Sequence, residues 1–301
     1  MGHLDGKVAI VTGAGRGIGK SEALLLAAEG AHVVVNDLGT TLDGQADRTP
    51  VAQQVVEEIK AAGGSAVANM DDVASWDGAD RLINQAVSTF GDLNVLVNNA
   101  GVVRDRMSFN MDETDFDLVI RVHLKGHFAP SRFAAAYWRQ RSKAGQTVYG
   151  RIINTTSEAG LWGTPGQINY ATAKGGICSM TVTLARELER LGVTVNAIAP
   201  RARTRMTETV GVDAPADAER FDDWHPDNIA PAVGWLASEA AADISGHIFV
   251  VTGGRVHLLA GYTEVSQITR DSRWTVDDLI EAQASLFGNH RRGLPGFGIS
   301  Y

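Results

Sequence analysis

Seven short runs of β-branched and apolar residues recur along the chain, separated by longer stretches of helical period, and few folds accommodate that alternation. The runs are KVAIVT at 7–12, AHVVVND at 31–37, SAVANMD at 65–71, NVLVNN at 94–99, RIINTTS at 151–157, VTVNAIA at 193–199 and GHIFVV at 246–251. Helical period is read at about 17–29, 50–62 and 78–90, from Asp112 to about Gln140, and from about Gly166 to Arg190. Strands that are apolar on both faces and joined by helices predict one doubly wound Rossmann-type α/β domain. Its seven-stranded parallel sheet carries helices on both faces. The domain is expected over 5–255, followed by a C-terminal extension, 256–301, packed on the domain or on a neighbouring subunit. Within the extension, Thr275 to Asp278 reads as a helix start and Asp278 to Phe287 carries helical period. Residues 38–49 and 200–228 fall outside the repeat. Ligands of open α/β sheets sit beyond the carboxyl ends of the strands, so the second of these loops is placed to cover a substrate.

Composition removes several classes of partner. The formal charge of the 301-residue chain is -8, and no long basic run interrupts it, which argues against nucleic acid and anionic membrane surfaces. No stretch approaches the eighteen apolar residues of a membrane span. The opening MGHLDGKVAIVTG lacks the apolar segment of a signal peptide, and the single cysteine, Cys178, has no intrachain partner for a disulfide. A cytoplasmic location and a small-molecule substrate are expected. The formal glycosylation sequon at Asn154 to Thr156 has no meaning there.

Gly13, Gly15, Gly17 and Gly19 lie directly after the first strand and before a helix. Such a turn lets the backbone approach a pyrophosphate, while the helix N-terminus supplies N–H groups and partial positive charge. The expected contacts are Gly13, Arg16, Gly17, Ile18 and Gly19. Asp37, at the end of the second strand, suits the ribose hydroxyls of NAD and repels the 2′-phosphate of NADP. Arg16 favours that phosphate, but a carboxylate facing a dianion costs more than an optional guanidinium contact gains, so NAD is expected over NADP.

TGAGRGIG at Thr12 to Gly19, NNAG at Asn98 to Gly101 and YATAK at Tyr170 to Lys174, with Ser157 thirteen residues before Tyr170, resemble the signature set of short-chain dehydrogenases/reductases over about residues 5–255. The resemblance implies nicotinamide-dependent oxidation of an alcohol, with Ser157, Tyr170 and Lys174 catalytic. It places Asp72 and Val73 beside the adenine, Asn99, Ala100 and Gly101 along the cofactor, Pro200 and the residues to 204 on the nicotinamide side, and Lys174 on the ribose. VVVNDLG at 33–39, VVEEIKAAGGSAVAN at 55–69, RVHLKGHF at 121–128 and RMTETV at 205–210 resemble the (3R)-hydroxyacyl-CoA dehydrogenase branch found in peroxisomal multifunctional enzymes of type 2. That implies an acyl-CoA substrate. Two positions depart from the general pattern: His123 replaces the Asn that usually holds a water of the proton relay, and Pro200-Arg201 replaces a Pro-Gly pair.

Hydride transfer from an alcohol needs a base for the hydroxyl proton, and tyrosine is a poor one at a pKa of about 10. Lys174 lies one helical turn beyond Tyr170; a charge about 5 Å away at an effective dielectric near 20 is worth roughly 3 kcal/mol, or about two pKa units. On that arithmetic Tyr170 titrates close to working pH, and Ser157 donates a hydrogen bond to the substrate oxygen. His123 and His127 share a helix face, but no acidic or cysteine partner has matching spacing, so packing or relay roles are expected and no metal. Cys178 reads as a small buried residue. Arg201, Arg203 and Arg205 are open between solvated loop charges and contacts to CoA phosphates. The leading reading is an NAD-dependent 3-hydroxyacyl-CoA dehydrogenase. An NADPH-dependent 3-oxoacyl or steroid ketone reductase is its rival among enzymes, and a nucleotide-sensing protein without turnover its rival outside them. Residues 112–140 are rich in Phe, Ala and aromatic side chains, which predicts a symmetric homodimer or homotetramer.

Overall fold

The structure, a computed structural model, describes residues 2–40, 50–204, 221–293 and 296. Parts of both loops outside the repeat, 41–49 and 205–220, therefore lie outside the described residues, and with them Arg205 and the RMTETV stretch. The sheet has eight strands in the order β3-β2-β1-β4-β5-β6-β7-β8. They are β1 (Val8–Thr12), β2 (His32–Asn36), β3 (Ser65–Asn69), β4 (Val95–Asn98), β5 (Gly150–Thr155), β6 (Val193–Arg201), β7 (Ile248–Thr252) and β8 (Arg255–Leu258). The first seven pair in parallel, as the sequence predicts. An eighth, antiparallel strand extends the expected count: β8 turns back on β7 through Gly253 and Gly254, pairing Val251 with Val256 and Thr252 with Arg255.

Each central strand is buried on both faces, and its alternate residues feed two cores. Ala9, Val11, Val33 and Val35 point to one face, where Leu26 of α1 (Gly17–Ala28), Val55 and Ile59 of α2 (Val51–Ala61) and Val233 and Leu236 of α8 (Ala230–Ala237) close over them. Val8, Ile10 and Val34 point to the other, against Leu82 and Ile83 of α3 (Trp76–Phe90), Trp138 of α5 (Gly126–Lys143) and Leu184 and Leu188 of α7 (Ile168–Leu188). That period of two on either face is why the strands read as continuous apolar runs. Trp138 is fully buried, its indole N–H donating to the Leu93 carbonyl at 2.7 Å. The remaining helices are α4 (Glu113–Ile120), α6 (Glu158–Trp162) and α9 (Val276–Phe287).

The helix expected from Asp112 to Gln140 is interrupted. Between α4 and α5, Arg121–Lys125 form one π-helical turn, and His123 is its buried residue. Sequence period does not register such a turn, because one extra residue shifts the apolar stripe without erasing it.

The chain divides into two compact units, Met1–Leu259 and Ala260–Tyr301. The second holds α9, whose N-terminus carries a capping box: the Thr275 hydroxyl accepts the Asp278 N–H at 3.2 Å, and the Asp278 carboxylate accepts the Thr275 N–H at 2.9 Å. No helix among the described residues is long and apolar enough to cross a membrane.

One residue of the first unit opposes its own burial. Glu22 of α1 is 0% exposed, and both carboxylate oxygens are buried without a hydrogen-bond partner. Loss of hydration pushes its pKa from the ordinary 4.5 up to about 8. A carboxyl raised in the folded state takes up protons on folding, so its contribution is complete below pH 4.5 and is lost as pH rises through about 8. Glu22→Gln keeps the shape and removes the titration. Thermal melts should therefore show the variant several degrees more stable at pH 9 and little changed at pH 4.5; a difference independent of pH would contradict this reading.

Candidate active site

The strand order reverses between β1, flanked by β2, and β4, flanked by β5, and the crevice there is built from two interlocked turns. The Thr12 hydroxyl accepts the N–H groups of Asn99 and Ala100 at 2.9 and 3.1 Å. The Asn99 amide donates back to the carbonyls of Thr12 and Gly13 at 3.0 and 3.2 Å. Glycine is required on both sides of this contact. Gly13 has φ +63°, and a Cβ there would stand 2.8 Å from Ala100 Cα; a Cβ on Gly19 would stand 2.4 Å from both the Asn99 amide and the Gly13 carbonyl oxygen. The turn then enters α1 at Gly17, φ +56°, with no acidic side chain in the first helical turn and no side-chain cap from Arg16. A helix start of this kind, with Ile18 in its first turn, presents backbone N–H groups to an anion.

Asp37 lies one residue beyond β2, its carboxylate accepting the Gly15 N–H at 2.9 Å and the Gly39 N–H at 2.8 Å. Asp72 caps the turn before α3 by accepting the Ala74 N–H at 2.8 Å and pairs with Arg121 of the π turn. Val73 is buried between these elements, within reach of Gly126. Glycine turn, carboxylate at the strand end and Asp72-Val73 line one crevice at the carboxyl ends of the strands.

Ser157, Tyr170 and Lys174 converge although they come from two segments. Ser157 follows β5 and caps α6, accepting the Ala159 N–H at 3.2 Å, and its hydroxyl lies close enough to the Tyr170 phenol to pull that group's pKa down. Tyr170 and Lys174 lie one turn apart on α7, with the ammonium 5.5 Å from the Tyr170 ring centre. Lys174 is only 2% exposed and donates to the Thr155 carbonyl at 2.6 Å. Cys178, one turn further, is buried beside the Thr156 hydroxyl at 3.1 Å.

The charge balance differs from the sequence-based arithmetic. Burial pushes the Tyr170 phenol above its ordinary value, the Ser157 hydroxyl draws it back, and the Asp105 carboxylate adds to the rise. Burial also lowers Lys174, to about 7. Desolvation penalises the charged form of both groups, so in the chain alone the lysine does not bring the tyrosine near neutrality.

His123 packs edge to face on the Tyr170 ring, 5.1 Å between centres, and its Nε2 lies 2.7 Å from the Val102 carbonyl. Gly101 fits against that imidazole so closely that a Cβ would stand 2.3 Å from Cε1. Burial and Lys174 hold His123 down to about 3, so it is a neutral, weakly basic ring. His127 is buried and lowered for the same reasons. Among the described residues no group of three His, Cys, Asp or Glu side chains is arranged to hold a metal.

Pro200 sits in β6, in register with Val251, and Thr204 faces Gly17 across the glycine turn. Two of the neighbouring arginines, each partly exposed, are ion-paired. Arg201 pairs with Glu158 at 2.7 Å, and Arg203 pairs with Asp222. Sequence reasoning missed both carboxylate partners because they lie 43 and 19 residues away.

Comparison with known proteins agrees with this geometry. A family model described as short chain dehydrogenase matches residues 7–214. A hydroxyacyl-CoA dehydrogenase, ChsB1, of Mycobacterium tuberculosis is 49% identical over 264 residues, covering 85% of this chain and 80% of that protein. The peroxisomal multifunctional enzyme type 2 of Drosophila melanogaster is 41% identical over 277 residues, which is 91% of this chain and 44% of that longer protein. Among solved structures, a short chain dehydrogenase from Mycobacterium avium superposes with a TM-score of 0.87 at 52% identity, covering 99% of this chain and 100% of that one. Fold, motif order and relatives agree, and the chain belongs to the short-chain dehydrogenase/reductase family of NAD(P)-binding oxidoreductases.

Proposed function

We propose that the protein is an NAD-dependent 3-hydroxyacyl-CoA dehydrogenase, with residues 5–255 as its catalytic domain and 256–301 as an extension. The observation that carries this reading is the convergence of Ser157, Tyr170 and Lys174 beside the glycine turn in a chain 49% identical to a named hydroxyacyl-CoA dehydrogenase. The relative's name supplies the substrate class and the convergence supplies the chemistry.

The bound nicotinamide supplies the hydride acceptor. Ser157 donates a hydrogen bond to the substrate oxygen, and the Tyr170 oxygen takes the hydroxyl proton as the C3 carbonyl forms. Lys174, one turn from the phenol on α7, would contact the ribose of the bound cofactor. Asp37 supports NAD over NADP, since a carboxylate just beyond the second strand repels a 2′-phosphate. Exposed Trp76, Phe116 and Phe128 along α3, α4 and α5 support a symmetric homodimer or homotetramer, tested by sedimentation at micromolar concentration. A cytoplasmic location and a role in lipid metabolism complete the reading.

A panel of 3-hydroxyacyl-CoA, steroid and small alcohols assayed with NAD+ and NADP+ tests substrate and cofactor together. Turnover of 3-hydroxyacyl-CoA with NAD+ preferred is expected, and Asp37→Ala should relax that preference; a wild type that prefers NADP+ would overturn the assignment of Asp37. Tyr170→Phe leaves the ring and the glycine turn in place, so turnover should fall about 10²-fold or more with NAD+ binding nearly unchanged. Lys174→Ala should weaken both. A Tyr170→Phe enzyme that keeps a tenth of wild-type turnover excludes Tyr170 as the base.

A further inference from the structure

The loop that follows the NNAG turn is fastened to the start of α7 by side chains outside the proposed catalytic set. Asn169, immediately before Tyr170, is 0% exposed. Its amide nitrogen donates to two carbonyls, Arg104 at 2.9 Å and Asp115 at 3.2 Å, and its amide oxygen accepts the N–H of Tyr170 at 2.7 Å. One side chain thus joins the loop after β4, the first turn of α4 and the first turn of α7. No other side chain caps α7: Gln167, at its N-cap, makes no capping bond, and the first turn has no acidic residue.

The partners of Asn169 are themselves braced. Asp115, 8% exposed, pairs with Arg104 at 3.1 Å and Arg106 at 2.6 Å. The Arg106 N–H donates to the Gly166 carbonyl at 2.8 Å, residues 106 and 167 form an isolated parallel bridge, and the Gln167 amide donates to Asp105 at 2.8 Å. Both lone arginine-rich loop and helix start would otherwise be free to shift against each other, since neither belongs to the sheet. An acid/base group loses effect steeply when displaced, and an error near 1 Å costs on the order of 10²-fold.

We infer that Asn169 is a positioning residue that sets the Tyr170 phenol against Ser157, with Asp115 as the brace that holds its anchoring loop. The inference rests on Tyr170 being the base. Asn169 reaches the reaction only through the backbone of Tyr170, whose N–H it holds, and through the two carbonyls that fix where α7 begins.

The test compares Asn169→Ala, Asp115→Asn and Tyr170→Phe in the full chain, with 3-hydroxydecanoyl-CoA and NAD+ as substrates and NADH-binding stoichiometry as the count of folded sites. Asn169→Ala should lower kcat per binding site about ten- to hundred-fold, leave the KM for NAD+ within about twofold, and shift the pH–rate profile, because the Tyr170 phenol is no longer held in place by the Asn169 contacts at the start of α7. Asp115→Asn keeps the side chain's shape and should reduce kcat in the same sense but less. A purely structural role would reduce the number of binding sites while leaving kcat per site and the pH profile unchanged, and that result overturns the inference. If Asn169→Ala does not fold, Asp115→Asn decides: kcat per site at the wild-type value overturns it. A Tyr170→Phe enzyme that still turns over sinks the reading of the base and the inference with it. An inactive Tyr170→Phe beside a normal Asn169→Ala sinks the inference alone.

Discussion

The exchange of hydrogen bonds between Thr12 and Asn99 holds together the two turns on which the whole crevice depends. A parallel sheet buried on both faces ends its strands at one edge, and beyond the last paired residues of β1 and β4 the backbone groups of the two turns need other partners. Here one hydroxyl accepts two N–H groups and one amide answers two carbonyls. Four bonds worth about 1 kcal/mol each join β1 to β4 at that edge. The glycines follow from this contact, since Gly13 and Gly19 are the positions where a Cβ would collide with it. The first turn of α1, aimed at the pyrophosphate position, is a consequence of the same joint.

Polar side chains extend the pattern into the core. The Asn98 amide donates to Ser131 of α5 and to Asn154 of β5, and Asn154 donates to Thr181 of α7. These groups are fully buried and, the Asn98 amide oxygen apart, bond to one another, so the sheet is tied to the helix that carries Tyr170 and Lys174 by hydrogen bonds as well as by apolar contact. The reactive pair sits at the end of that chain of contacts. Lys174 is buried and Tyr170 partly so, and that desolvation has a cost, because it raises the phenol and lowers the ammonium.

Fold and site were unequally legible in the sequence. Period-two apolar runs reported the seven parallel strands, because both faces of each central strand are covered. That Tyr170 and Lys174 share a helix face was legible from their four-residue interval, whereas Ser157, on a different segment, was legible only through the family resemblance. The β8 strand escaped because RVHL lies on the sheet's edge and is largely exposed, without alternation. Helix α8, APAVGWLA, is apolar almost throughout and too short to show a stripe. Asn169, Asp115, Glu158 and Asp222 were invisible for a different reason: each acts through a partner distant in sequence, and a lone Asn or Asp in a helix or loop carries no local signal of what it will meet. The π turn, whose His123 packs against Gly101 and Tyr170, was hidden because one extra residue leaves the apolar stripe readable.

In the chain without cofactor, desolvation and the Asp105 carboxylate hold the Tyr170 phenol above its ordinary value. The chain has five tyrosines, so ring-carbon NMR of enzyme grown on ζ-13C tyrosine, with Tyr170→Phe to assign the signal, reads this phenol directly. Without cofactor Tyr170 should titrate above the ordinary value of about 10, and with saturating NAD+ its titration should move down as positive charge arrives beside it. A Tyr170 already ionising near pH 7 in the absence of cofactor, or one that does not respond to NAD+, would contradict the account.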